Sequence, residues 1–402
     1  MWRCAKTLTP ERERRIIDFC RRLIQAPSIT GQEKNIASLV QQEMISLGYT
    51  ETWIDELGNV IGRVAGQGQG PAILFDGHLD TVDVTEPWAW QHPPFQGRLV
   101  DGRIYGRGAA DMKGALAAMV CAIGFLAQDG ANRGGDLYVT GTVVEEVAEG
   151  VALSHILTKI RPAAVVIGEA TGLNLNFGQR GRAEIILETR GRAAHSANPE
   201  VGVNAVYKML PLVEAVRHLE LPTDSLLGPA IMELTDIISS PYPGTSVVPH
   251  GCRATYDRRL LVGEEPDQVL APLKAIIYAS QIEDPELEAE VMLAPLDITT
   301  YTGKTLRGLK FARAWCIDKG HPLVAVAQEA LFKAGLQPSL ETYRFCTNGS
   351  GSAGNLAIPT IGFGPGRESQ AHVSDEYIEV DELLAAARGY YNLAGTLSKM
   401  GL

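Results

Sequence analysis

The sequence predicts an α/β protein, a mainly parallel sheet covered by helices, with a smaller α+β domain inserted into the chain. Three observations point there. Short, near-continuous apolar runs alternate with helical patterns: "NVIGRV", "AILF", "DLYVTGTVV" and "AAVVIG". Strands covered on both faces read this way. Near residue 180 the pattern changes, and "GQRGRAEIILETRG" alternates apolar with polar residues, the signature of a half-buried strand. From about residue 300 the first pattern resumes, ending in "IPTIGFG" and the helical "VDELLAAARGYYNLAGTLSKM". A chain of 402 residues exceeds what one hydrophobic core usually serves. The predicted organisation is therefore a discontinuous first domain, residues 1–180 and 298–402, interrupted by an insert at 181–297.

The elements follow in order. "TPERERRIIDFCRRLI" predicts a first helix, with Thr9 as N-cap, Pro10 at the first helical position and Glu11 and Glu13 at its positive end. Ile16, Phe19, Cys20, Leu23 and Ile24 share one face. A second helix is predicted from "TGQE", where Thr30 and Glu33 have capping-box spacing, to Gly48. "MKGALAAMVCAIGFLAQDG" predicts a buried helix between strands. In the insert, "NPEVGVNAVYKMLPLVEAVRHLE" predicts a helix capped by Asn198, "GCRATYDRRLLVG" a strand and "EPDQVLAPLKAIIYASQ" another helix.

Composition narrows the functional classes. The formal net charge is -11, with 21% charged and 45% hydrophobic residues. A general nucleic-acid binder needs a basic face, so no nucleic-acid partner is expected. The six cysteines are scattered with no C-x-x-C pair, which disfavours a disulfide framework or a cysteine zinc site. The N-terminal segment becomes charged where a signal peptide would be apolar. No apolar run in the sequence suggests a membrane span. A cytoplasmic protein without a membrane partner is the expectation.

Chemistry-bearing residues recur where predicted strands end. His78 and Asp80 follow "AILF", two apart, on one face of an extended chain. Asp111 sits at the expected N-cap of the buried helix. Glu145 and Glu146 follow "YVTGTVV", Glu169 ends "AAVVIG", and His372 follows "IPTIGFG" in "ESQAHVSDEY". A parallel sheet gathers ligands outside the carboxyl ends of its strands. Two histidines and several carboxylates suit a pair of divalent ions, Zn²⁺, Co²⁺ or Mn²⁺. Such a pair can activate a water and polarise a carbonyl. Of two adjacent glutamates, one can be a ligand and the other a general base. Asp80 fits a residue that orients His78.

The stretches "GHLDTV", "YGRGAADMKGALAAM", "VVEEVAEG", "GEAT", "GRAAHSANPEVGVNA" and "AHVSDEYI" together resemble the M20 metallopeptidase and deacylase family. That family includes acetylornithine deacetylases, succinyl-diaminopimelate desuccinylases, aminoacylases and glutamate carboxypeptidases. The resemblance covers nearly the whole chain. It implies that His78 binds one metal and His372 the other, with Asp111 bridging them and Glu146 and Glu169 each completing one shell. It implies Glu145 as the base that activates a metal-bridged water, Asp80 as the clamp of His78, and zinc as the metal. The insert becomes a lid that forms a homodimer, and His195 reaches the partner's site to hold the oxyanion. Arg259, Asn348 and Gly349 match positions near the substrate. The loop after "CTNG" lacks an aspartate that some members carry, Ser246 replaces a frequent asparagine, and His250 stands where a small polar or acidic residue is common. These departures bear on substrate identity.

The implied reaction is hydrolysis of an amide in an N-acyl amino acid or related small molecule. A dipeptidase or carboxypeptidase on the same scaffold is the alternative. A non-catalytic scaffold would have lost a ligand or the base, and all seven positions are present. "GSGSAG" matches G-x-G-x-x-G but leaves no room for the helix that a dinucleotide site needs. No G-x-S-x-G elbow exists for a serine hydrolase.

Overall fold

The computed structural model describes residues 8–131 and 134–400; Cys4 and the first seven residues of the segment read for a signal peptide lie outside them. The chain divides into two compact units. One comprises the described parts of Met1–Gln179, Asp297–Leu306 and Trp315–Leu402, the other Arg180–Leu296 and Arg307–Ala314. The stretch from 298 onward, expected to belong wholly to the first domain, is thus interrupted by Arg307–Ala314.

The first unit opens with helix α1, Pro10–Ile24. Thr9 caps it by accepting the Arg12 N–H, and Ile16, Phe19, Cys20, Leu23 and Ile24 are buried. Helix α2, Lys34–Ser46, begins later than its capping-box spacing suggested, and Glu33 makes no side-chain cap. Both expected capping side chains are committed elsewhere, as the site shows. Strands β1 (Glu51–Ile54), β2 (Val60–Val64) and β3 (Ile73–His78) follow. Then come helix α3 (Gly114–Gln128), β4 (Leu137–Thr142), α4 (Val151–Lys159), β5 (Ala164–Ile167) and β6 (Leu175–Gln179). Contrary to the sequence expectation, Ala109–Gln128 is long and apolar enough to cross a membrane by composition alone. Here α3 is a core helix, buried from Gly114 to Leu126.

The expected single strand through "GQRGRAEIILETRG" breaks at Arg180, and β7 (Gly181–Arg190) starts the second unit. That unit adds α5 (Ala205–Arg217), β8 (Ile231–Ser240), β9 (Gly251–Leu260), α6 (Pro266–Glu283), β10 (Glu288–Leu293) and β11 (Phe311–Ala312). Its sheet runs β8-β9-β7-β10, antiparallel throughout, with β11 added beside β7. Ile185 and Leu187 of β7, Ala254 and Tyr256 of β9, Met209 and Leu212 of α5, and Leu273 and Ile277 of α6 build its core. Asn204, not Asn198, caps α5, accepting from the Val206 and Tyr207 N–H groups. Asn198 instead precedes a single 3₁₀ turn at Pro199–Val201.

The first unit resumes with β12 (Trp315–Cys316), α7 (Pro322–Lys333), β13 (Leu340–Tyr343), β14 (Thr360–Gly362) and α8 (Val380–Leu397). Its sheet runs β1-β2-β4-β3-β5-β14-β6-β12, with β13 beside β6. The central strands β4, β3, β5 and β14 are parallel, and antiparallel pairings flank them. Register fixes what emerges at the carboxyl edge. His78 lies level with Thr142, and Asp76 with Ile167. The residues just beyond β4 and β5 therefore leave the sheet beside His78.

Candidate metal centre

That edge gathers the residues the strand ends contribute. His78 Nε2 stands 2.9 Å from Asp111 Oδ1, 3.5 Å from Glu169 Oε1 and 4.0 Å from Glu145 Oε2. The other Asp111 oxygen, Oδ2, is 3.2 Å from His372 Nε2, which is 3.0 Å from Glu146 Oε2. Two donor triads result, His78–Asp111–Glu169 and Asp111–Glu146–His372, the donor atoms of each lying within 4.8 Å of one another. Asp111 belongs to both and offers one oxygen to each. Glu145 belongs to neither. Its Oε1 is buried with no hydrogen-bond partner among the described residues.

The electrostatics explain what such a cluster accepts. Burial pushes Glu145 and Glu169 well up from the ordinary carboxylate range and Glu146 up from it, and neighbouring carboxylates add to it despite His78. Burial alone would raise Asp111 too, but hydrogen bonds from His372 and His78 hold it below its usual value. Bonds to Asp111 and Glu146 push His372 up to about 10. Burial opposes protonation of His78, yet Glu169, Asp111 and Glu145 carry it well above its ordinary value. Four carboxylates thus face two imidazoles, an excess of acidic donors that burial leaves short of positive charge. Oxygen and nitrogen donors without thiolate, in two triads sharing a carboxylate, fit two divalent cations.

The supports of these side chains differ from expectation. The His78 Nδ1 is held by the main-chain carbonyl of Asp80 at 2.9 Å, while the Asp80 carboxylate is 3.6 Å away. Asp80 therefore orients His78 chiefly through its backbone. Its carboxylate instead accepts the Glu145 N–H at 3.0 Å, the Glu146 N–H at 3.2 Å and the Thr30 hydroxyl at 2.8 Å. Asp111 is not the cap of α3. It precedes the helix in non-helical backbone, and its side chain serves the two histidines. A fully buried carboxylate that the sequence reading missed, Glu376, holds this turn. It accepts the N–H groups of Gly108, Ala110 and Asp111 and pairs with Arg107 at 2.8 Å. The only sequence hint was its place beside His372 in "HVSDEYI".

Asn348, expected on a substrate loop, is buried with its amide spent inside the unit. It donates to Asp76 Oδ2 and Thr142 Oγ1 and accepts the Gly150 N–H. Gly349 is also buried, and a Cβ there would fall 2.4 Å from Trp315 Nε1. Both residues brace the edge from behind and offer no free group to a substrate. Arg259, in the second unit, pairs with Asp257 at 2.7 Å and shares that carboxylate with Arg182. His195, in the same unit, is exposed, and its Nδ1 accepts the Ala197 N–H. The neutral ring then carries its proton on Nε2. A third acidic group, Asp55–Glu56–His155, is occupied otherwise. Asp55 caps the turn at Leu57–Asn59, and Glu56 binds Lys159 and His155.

The profile of peptidase family M20/M25/M40 matches residues 74–396, most of the chain. The chain belongs to peptidase family M20/M25/M40. It is a metal-dependent hydrolase. Uncharacterized protein YgeY of Escherichia coli (strain K12) is 32% identical over 380 residues, 92% of each chain. A succinyl-diaminopimelate desuccinylase of Acidiphilium cryptum is 30% identical over 255 residues, 60% of this chain and 67% of the relative. Among solved structures, aminopeptidase PepT from Bacillus cereus shares the fold with TM-score 0.73 and 22% identity, over 96% of this chain and 99% of that one. The YXEP protein of Bacillus subtilis, a dinuclear metal-binding M20 peptidase, shares it with TM-score 0.69 and 15% identity, over 96% and 98%.

Proposed function

We propose that this M20 hydrolase cleaves the amide bond of an N-acyl amino acid or a related small molecule, using two divalent ions, zinc by preference. One observation carries the reading: two donor triads share Asp111, while Glu145 stands 4.0 Å from His78 with an unpartnered oxygen. His78 and Glu169 would hold one ion, Glu146 and His372 the other, and Asp111 both. The ions, when bound, supply Lewis acidity to the scissile carbonyl and to the attacking water. Glu145 takes the water's proton and returns it to the leaving amine. Its raised affinity for protons suits that shuttle. Asp80 fixes the turn that carries Glu145. His195, with its proton on Nε2, donates to the developing oxyanion. The reading gives that contact to the partner of a homodimer formed through the second unit. Arg259, half-neutralised by an Asp257 that it shares, is available to a substrate carboxylate. The compartment proposed is the cytoplasm.

The desuccinylase relative favours a deacylase, and the PepT-like fold keeps a peptidase as second reading. The test is amine release from N-acetyl, N-succinyl and N-formyl amino acids beside plain dipeptides, with zinc- or cobalt-loaded protein. Cleavage of the acyl substrates, abolished in Glu145→Gln, is expected. Cleavage of dipeptides alone would transfer the assignment to the second reading, and equal activity in the variant would remove Glu145 from the reaction.

A further inference from the structure

The carboxylate expected to cap α2 does something else. Glu33 occupies the N-cap position, yet its side chain leaves the helix uncapped. It is fully buried, with Oε1 accepting the Gly31 N–H at 2.9 Å and the Val144 N–H at 3.1 Å. Oε2 has no hydrogen-bond partner among the described residues. Val144 is the residue before Glu145. It holds φ at +56°, a left-handed conformation that a β-branched residue adopts only under constraint. The turn is therefore strained at the residue that aims Glu145, and a carboxylate from over a hundred residues away holds the strained peptide. Asp80 takes the next two N–H groups. Val144, Glu145 and Glu146 thus hand their backbone donors, in succession, to two buried acids.

We propose that Glu33 is a positioning residue for Glu145, locking the left-handed peptide at Val144 so that the neighbouring carboxylate keeps its aim. The idea rests on Glu145 being the general base. It explains why a carboxylate is kept buried with one oxygen unpaired, a costly arrangement, in place of an ordinary helix cap. What the turn needs from Glu33 is an acceptor at Oε1, and a glutamine can supply that as well as a glutamate.

The experiment compares Glu33→Gln, which keeps the acceptor, with Glu33→Met, which keeps the bulk and loses it. Zinc content, kcat and KM on the best panel substrate, and amide hydrogen exchange over residues 143–148 are measured for both. Glu33→Met is expected to lose roughly tenfold to a hundredfold in kcat, as small misplacements of a catalytic group do. Its KM and metal content should hold within about twofold, and exchange at 143–148 should rise. Glu33→Gln should stay near wild type in all of these. Equal kcat and equal protection in wild type and Glu33→Met would overturn the proposal, as would a Glu33→Gln as impaired as Glu33→Met. If Glu33→Met does not fold, Glu33→Asp, too short to serve both donors, replaces it with the same expectations. Hydrogen exchange needs no substrate, so it decides the placement of the turn even where the reading of Glu145 fails.

Discussion

Two turns carry three of the site's carboxylates, and both are held from behind by buried acids, but in different ways. The turn at Gly108–Asp111 is gripped by Glu376, whose charge is met by Arg107 and by three backbone N–H groups. The turn at Val144–Glu146 is gripped by Asp80 and Glu33; neither is paired with a lysine or arginine among the described residues, and Asp80 has only the His78 imidazole at 3.6 Å. The first clamp is a satisfied ion pair placed under the shared ligand. The second is a pair of acids with no lysine or arginine partner, placed under the proposed base, Glu145. The difference teaches that the turn of the proposed shared ligand, Asp111, is anchored for stability, whereas the turn that also carries the proposed base is anchored for aim, at a cost in stability.

Breaking the first clamp should have the largest effect. Glu376→Ala leaves Arg107 charged and buried, and removing one partner of such a pair costs about 3–5 kcal/mol. Urea unfolding should show that loss, with metal affinity falling alongside; an unaltered midpoint would contradict the contrast. Breaking the second clamp should act on turnover. Asp80→Asn keeps one acceptor and turns a donor toward the other N–H, so kcat should fall by roughly 10²-fold. The midpoint should change little by comparison. A drop in stability as large as that of Glu376→Ala would erase the distinction.

Asn348→Ala sharpens the account of the brace. It strands the Gly150 N–H and two buried partners, which should cost about 1–3 kcal/mol with KM unchanged. A raised KM at wild-type stability would restore Asn348 to the substrate. The smallest effect is on pH. His372 is raised to about 10 in the fold, above an unfolded value of about 6.5. A raised imidazole contributes stability that is complete below the unfolded value and is lost as pH rises toward the folded one. Metal-free protein should therefore melt progressively lower between about pH 6.5 and 10. Zinc-loaded protein, whose ligands would be neutral imidazoles, should not follow that slope.

Much of this was legible in the sequence because it is periodic or punctual. Apolar strands ending in acids and histidines gave the α/β sheet and the seven residues that the structure gathers at one edge. The face of α1 and its Thr9 cap were readable from spacing alone. What escaped was set by distant contact. Glu33 and Thr30 have the spacing of a capping box, but the sheet edge claims both side chains, and local propensity yields to tertiary hydrogen bonding. Asn348 was expected near the substrate because the family resemblance puts a substrate loop there, yet three buried groups compete for its amide. The segment Arg307–Ala314 is too short for periodicity to show that it pairs with β7. Glu376 could have been found only by asking what satisfies the buried N–H groups of the turn before α3.

The measurement that bears most directly on the central claim is metal stoichiometry by mass spectrometry beside turnover, on wild type, His372→Ala and Glu145→Gln. Two divalent ions per chain are expected in wild type and in Glu145→Gln, and about one in His372→Ala. Turnover should survive only in wild type. A Glu145→Gln chain that loses an ion would make Glu145 a ligand. A wild type that is active with no bound metal would contradict the two-ion site outright.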